Sequence, residues 1–447
     1  MKLVQIWQDV RSSLWFVPGL LVLGAVVIAI ALIEAEGYME QDILDQWPRL
    51  FGSSASGSRD LLTAVAGSMI TVAGVVFSIT IVALSLASSQ YTSRVLRNFM
   101  SNHVNQTVLG VFVGIFAYCL VVLRTIRGGD EGSFIPSLAV LFGLLLAFVG
   151  IAVLIYFIHH ISASIQAAHI LAAVAEETLD AIDHLFPEEV GEEANSTMPA
   201  ANLGQTWYPI SASKTGYIQS LDPPGLLAFA SERRTVVRME RGVGQFLIEK
   251  TPIASLLGTT APSDDDRQRL DELYAVGPQR TVEQDAAFGI RQIVDVALKA
   301  LSPGINDTTT AIMCIDYLTA ILVRLTDRRI ESCYRAEDGE LRLLTCGPSY
   351  SGMVGEAFDQ IRQNADGNVA VLESLLGSLE LLAGRTASPA RRLILAGHAE
   401  AVLELGRRSI PAPRDRQRFE SRSARVMALF TGDATTRLAT AAAQPNP

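Results

Sequence analysis

Six small or hydroxylated residues, Gly67, Thr71, Gly74, Ser78, Ser85 and Ser89, follow one another at steps of three, four and seven. That is the period of a single helix face. Hydroxyls at regular turns can replace part of an ion's hydration shell, which makes the stripe a candidate pore lining. Small side chains also let two helix backbones approach to contact, so the same stripe is a candidate packing surface. No intramembrane Asp, Glu or Lys accompanies it. A proton-coupled transporter is therefore disfavoured, since such relays are ionisable.

Beyond the stripe come Gln90, Tyr91, Arg94 and Arg97. They suit either an interfacial belt anchored at headgroups or a vestibule whose arginines attract anions. Further on, His159, Ser162, Gln166 and His169 share one helical face, but no carboxylate or thiol stands near enough to complete a metal site. The densest polar cluster holds Asp285, Arg291, Asp295 and Lys299, then Ser302, Pro303, Gly304, Asn306 and Asp307. Arg291, Asp295 and Lys299 at i, i+4, i+8 form a ladder along one face. Pro303 and Gly304 stop that helix, and Asn306 or Asp307 caps the next. A helix–turn–helix corner explains every one of these residues. A small ligand at the second helix's N-terminus is the functional alternative. Neither a nucleophile with its base nor a metal trio is present, so no enzymatic chemistry is expected and no cofactor is implied.

The elements that must carry these residues follow from hydropathy. Residues 61–93 contain no charge, too long an apolar run for anything but a membrane-crossing helix. Four spans are predicted, at about 14–33, 61–88, 107–126 and 134–158. The first run exceeds a signal peptide's apolar core and reads as an uncleaved span. An even number puts both ends on one side. Lys2, Arg11, Arg94 and Arg97 flank that side and Arg49, Arg59, Arg124 and Arg127 the other, which is nearly a tie. The first helix's weight favours cytoplasmic termini. Beyond the fourth span, residues from His159 to Leu185 keep helical periodicity with no Pro or Gly, so one long helix is expected to leave the membrane.

A membrane domain (1–186) is thus followed by a flexible acidic linker (187–206), a small α+β soluble domain (207–350), a helical region (351–430) and a disordered tail (431–447). In the α+β part, 216–221 reads as a strand and 224–232 as a helix. Strands at 235–240 and 245–249 surround Gly242 and Gly244, as in small β-barrel modules. Helices follow at 282–301 and 307–326, then a hairpin about Asp338-Gly339. The fold class is a polytopic α-helical membrane protein with a mixed α+β, mostly helical cytosolic region.

Composition agrees. The 447 residues carry 18% charged side chains and a net charge of −10, with a mean hydropathy of +0.30. That argues against nucleic acid as a partner, because phosphate binding needs concentrated Lys and Arg. Cys119, Cys314, Cys333 and Cys346 form no zinc pattern and read as free thiols.

The strings SSQYTSRVLRNF from Ser88, LGVFVGIFAYCLVVLRTIR from Leu109 and DAAFGIRQIVDVALKALSPGINDTTTA from Asp285 resemble the domain-of-unknown-function 2254 family of predicted bacterial membrane proteins. The resemblance covers most of the chain to about residue 430. It implies an integral membrane protein with a cytosolic region and supplies no catalytic residue. The expected function is an oligomeric channel-like pore in the bacterial inner membrane with a cytosolic regulatory domain. Its partners are the lipid bilayer, further copies of the chain and a small ion or ligand. The alternative is a membrane-anchored sensor or scaffold.

Overall fold

The computed structural model describes residues 15–36, 54–90, 103–127, 134–164, 166–185, 192–193, 206–258, 261–282, 284–328, 334–337, 339–345 and 347–442. These fall into two compact units, divided between Ile170 and Leu171.

The first unit holds α1 (Phe16–Glu36), α2 (Ala55–Gln90), α3 (His103–Thr125) and α4 (Ser137–Ser164). Each is long and apolar enough to cross a membrane. Glycines set how the helices meet. A Cβ on Gly110 of α3 would meet the Pro18 Cα of α1 at 2.9 Å, and one on Gly114 would meet the Leu21 carbonyl at 3.5 Å. On α4, Gly143 lies against Leu62 of α2 and Gly150 against Met69. Position numbers rise together in both pairs, so α1 runs parallel to α3, and α2 to α4. Arg59 at the start of α2 donates to the Ile126 carbonyl just past the end of α3, at 2.7 Å. The unit is therefore an up-down-up-down bundle. Its core includes Leu62, Met69, Phe112, Ile115, Tyr118 and Phe157. Glu36 closes the end of α1 by accepting the Ser137 and Leu138 N–H groups that open α4.

The long exit helix expected from the fourth span is two helices. α4 ends at Ser164 and α5 (Ala167–Leu185) begins after a bend at Gln166. Neither Pro nor Gly marks this break, which is why periodicity alone missed it. The unit boundary falls inside α5, earlier than the expected 186. α5 buries Leu171, Val174, Ala175, Thr178, Ala181 and Ile182 at helical spacing.

In the second unit, β1 (Glu192–Glu193) lies within the expected linker, most of which is outside the described residues. Then come β2 (Thr206–Ser211), β3 (Gly216–Leu221), α6 (Pro223–Glu232), β4 (Val237–Met239), β5 (Phe246–Leu247), β6 (Pro252–Gly258), α7 (Asp264–Glu272) and β7 (Tyr274–Gly277). α8 (Ala286–Leu301) and α9 (Thr308–Asp327) precede the hairpin β8 (Tyr334–Glu337) and β9 (Glu340–Leu344). The strands form one sheet of order β1-β8-β9-β4-β6-β2 and a second of order β5-β3-β7. The strands around Gly242 and Gly244 do not fold over one another as expected. β4 pairs with β6 and β9, and β5 with β3, in different sheets. The local pattern was legible, but its partners lie elsewhere in the sequence.

The chain closes with α10 (Tyr350–Gln363), α11 (Val369–Arg385), α12 (Pro389–Ser409) and α13 (Pro413–Ala442). α13 runs through most of the tail expected to be disordered. Ala434, Ala439, Ala441 and Ala442 recur there with no Pro before Pro445, and alanine is the strongest helix former.

α9 is also long and apolar enough to cross a membrane, which makes five candidates rather than the expected four. Its apolar side is buried at Ala311, Cys314, Ile315, Leu318, Ile321, Leu322 and Leu325. Its polar groups bond neighbouring helices. Asn368 donates to the Thr308 hydroxyl at 2.9 Å, and the Thr319 hydroxyl meets Ser378 at 2.7 Å. Thr326 pairs with the Tyr350 hydroxyl at 3.0 Å. Burial of that side against neighbouring helices accounts for apolar residues there, while Asp316, Arg324 and Asp327 stay exposed on the other.

Candidate functional site

The small face of α2 points away from the bundle. Gly67, Thr71, Gly74, Ser78 and Ser85 are exposed, and a Cβ on Gly67 or Gly74 would meet nothing within 4 Å. The buried side of α2 includes Leu62, Ala66, Met69, Ala73, Val76 and Ala83. At ~100° per residue the two sets lie roughly 160° apart. Among the described residues, then, nothing covers the stripe from Gly67 to Ser85. From Gly67 to Ser85 it extends about 27 Å at ~1.5 Å per residue, close to a full hydrocarbon thickness.

Large apolar side chains border the stripe. Ile70, Phe77 and Ile81 stand on one flank and Val75, Val82 and Leu86 on the other, all exposed. The Thr71 hydroxyl donates back to the Gly67 carbonyl at 2.8 Å, which leaves its oxygen as an acceptor only. Ser89 and Gln90 belong to the last turn of α2. Tyr91, Arg94 and Arg97 lie outside the described residues.

Close packing inside the bundle uses other glycines. Gly110 and Gly114 form a G-x-x-x-G pair on α3, the spacing that brings membrane helices into contact. That pair stands in plain sight in GVFVG and was the missed signal. The histidine face also dissolves, since the bend at Gln166 puts His159 on α4 and His169 on α5. The Ser162 hydroxyl donates to the Ile158 carbonyl, and His160 stacks on Tyr156.

The polar cluster of the second unit separates into three places along α8. Asp285 caps its start, accepting the Phe288 N–H at 3.1 Å and Arg280 Nε at 2.7 Å. Burial pushes its carboxyl pKa up, while Arg280 and the Phe288 N–H pull it down. Gly244, at φ +82°, sits so close that a Cβ would fall 2.1 Å from Asp285 Oδ2. Here the glycine turn of the β region meets the helix. One turn and a half on, Arg291 pairs with Glu356 of α10 and reaches Asp295 only at 4.0 Å. The expected ladder is thus diverted to a neighbouring helix. The far end of α8 lies about 24 Å from Asp285, at ~1.5 Å per residue over the helix.

There Ser302 bonds the Lys299 carbonyl at 2.7 Å, and Pro303, Gly304 and Asn306 are exposed. Asn306 takes φ +50°. Asp307 caps α9, accepting the Thr310 hydroxyl at 2.6 Å and its N–H at 3.0 Å. Those bonds hold its carboxyl below the usual range. Asp285, Arg291, Ser302 and Asp307 are thus each engaged in structural contacts, and Asp285 and Asp307 stand at different ends of α8. Among the described residues, no three His, Cys, Asp or Glu side chains group as a metal site.

The family model described as "Predicted membrane protein (DUF2254)" matches residues 11–380. The "Uncharacterized protein MT1328" of Mycobacterium tuberculosis (strain CDC 1551 / Oshkosh) is 34% identical over 388 residues, covering 84% of this chain and 73% of its own. The "Uncharacterized protein Mb1321c" of Mycobacterium bovis matches to the same extent. No solved structure matches. The chain belongs to the DUF2254 family of predicted membrane proteins.

Proposed function

We propose that this membrane protein assembles as an oligomeric, channel-like pore in the bacterial inner membrane, with α2 lining the path. The observation that carries the reading is the outward stripe of α2, opposite its buried side and about as long as the hydrocarbon is thick. A helix ringed by copies of itself needs a narrow lumen face and two broad flanks for its neighbours. The stripe and its bordering ridges match that division of labour. Alpha helices 1–4 are the spans in this reading, and α9 is the apolar interior of a cytosolic regulatory domain that does no enzymatic chemistry. Both ends of the four-helix array then face the cytoplasm.

One observation favours the alternative, a membrane-anchored sensor or scaffold with a dry helix seam. Thr71 spends its proton inside its own helix, as a hydroxyl facing a packed partner would. Recording from purified protein in planar bilayers separates the two. The pore reading expects conductance that Ser78→Leu and Ser85→Leu abolish. Silence across salt, pH and tension would reject it, as would currents unchanged by both substitutions.

A further inference from the structure

A groove of about 340 Å³ opens on a different side of the bundle, between α2, α3 and α4. Its floor is Met69, Phe112 and Gly150, all buried, and its mouth is Ala64, Ser68 and Ile151, all exposed. Gly150 keeps the floor low, since a Cβ there would meet Met69 Sδ at 2.9 Å. The groove has one polar lining side chain, Ser68, whose hydroxyl donates to the Ala64 carbonyl at 2.7 Å. It therefore offers water no free donor.

Depth identifies the occupant. Met69, Phe112 and Gly150 lie within three residues of the middles of Ala55–Leu86, Val104–Thr125 and Ser137–Ser162. All three candidate spans thus place the groove near the bilayer midplane. A dry notch open to hydrocarbon at that depth is solvated by acyl chains. We propose that the groove is a specific seat for one acyl chain of a membrane lipid, wedged between α2 and α4. The stripe of α2 lies beside it, so a seated chain bears on the helix that presents the stripe. This inference rests on membrane embedding and not on the pore reading. A silent bilayer recording would leave it untouched.

The test uses the full-length protein in nanodiscs of phosphatidylcholine bearing a photoactivatable diazirine on one acyl chain. After photolysis and digestion, adducts are mapped by mass spectrometry. Adducts should concentrate on residues 64–72 and 147–154, several-fold above those on the outward Leu20 and Leu23 of α1. Ala64→Phe and Ala147→Phe, made separately, fill the groove from opposite walls. Each should lower groove labelling several-fold and leave α1 labelling unchanged, which also reports that the bundle remains folded. Groove labelling no higher than that of α1 would overturn the proposal. So would labelling that both variants leave intact, or cross-linked peptides showing that a second copy fills the groove.

Discussion

Glu36 joins two helices that the sequence separates by a hundred residues. The residue is only 9% exposed, and its carboxylate accepts the Ser137 N–H and, at 3.0 Å, the Leu138 N–H. These are orphan donors of the first turn of α4, which no residue of its own satisfies there. Glu36→Ala removes both acceptors. Loss of a cap costs about 0.5–2 kcal/mol, and each buried N–H left unpaired adds about 1–3 kcal/mol where water is scarce. Partial relaxation toward headgroup water lowers the sum, so the expected loss is about 2–4 kcal/mol. Glu36→Gln keeps one acceptor oxygen but turns its amide NH2 toward the other N–H, so one of the two bonds is lost along with the charge–dipole attraction, about 1–3 kcal/mol in all. Denaturant titration of the full chain in mixed micelles, read by helical circular dichroism, measures both. Equal stability of Glu36→Ala and wild type, or a larger loss for Gln than for Ala, would refute the cross-helix cap.

Gly110→Leu should disrupt the α1–α3 contact, because the Pro18 backbone stands 2.9 Å from the new Cβ. Gly67→Ala, whose Cβ would meet nothing within 4 Å, should raise micelle stability by about 0.5–1 kcal/mol through alanine's helix preference. Gly244→Ala combines a left-handed backbone with a clash against Asp285 and should cost about 2–4 kcal/mol, seen as a lower unfolding midpoint of the second unit. Asp183 accepts Arg324 at 2.7 Å and Arg328 at 2.7 Å, and Arg324 chiefly holds its carboxyl below the usual range. Its contribution is present above the unfolded pKa and lost as pH falls through the folded one. Protection of α5 in hydrogen exchange should therefore weaken in acid below about pH 4, and Asp183→Asn should remove that dependence.

What the sequence revealed follows from the range of the forces involved. Four apolar helices, the Asp307 cap and the hairpin at Gly339 are local events, set by hydropathy, a side chain reaching three residues on, and a left-handed glycine. The sheet partners of β4 and β5 were not legible, since pairing joins residues far apart in the chain. The bend at Gln166 was missed because no Pro or Gly announces it. For the candidate site, the stripe's period was visible, yet its direction was not. Only Leu62, Met69 and Val76 turning inward show that Gly67 and Ser78 turn outward. The polar cluster failed for the opposite reason. Nearness in sequence suggested one site, whereas α8 holds Asp285 and Asp307 a helix length apart.

The central claim is that the stripe of α2 faces water along an oligomer axis. Single cysteines at Gly74, Ser78 and Ser85, in a background freed of Cys119, Cys314, Cys333 and Cys346, test it in native membranes with a water-soluble thiol reagent. A water-lined path predicts rapid modification at all three, with exposed Phe77→Cys on the flank staying unreactive. Protection of all three stripe positions would contradict the account and leave a dry helix seam in its place.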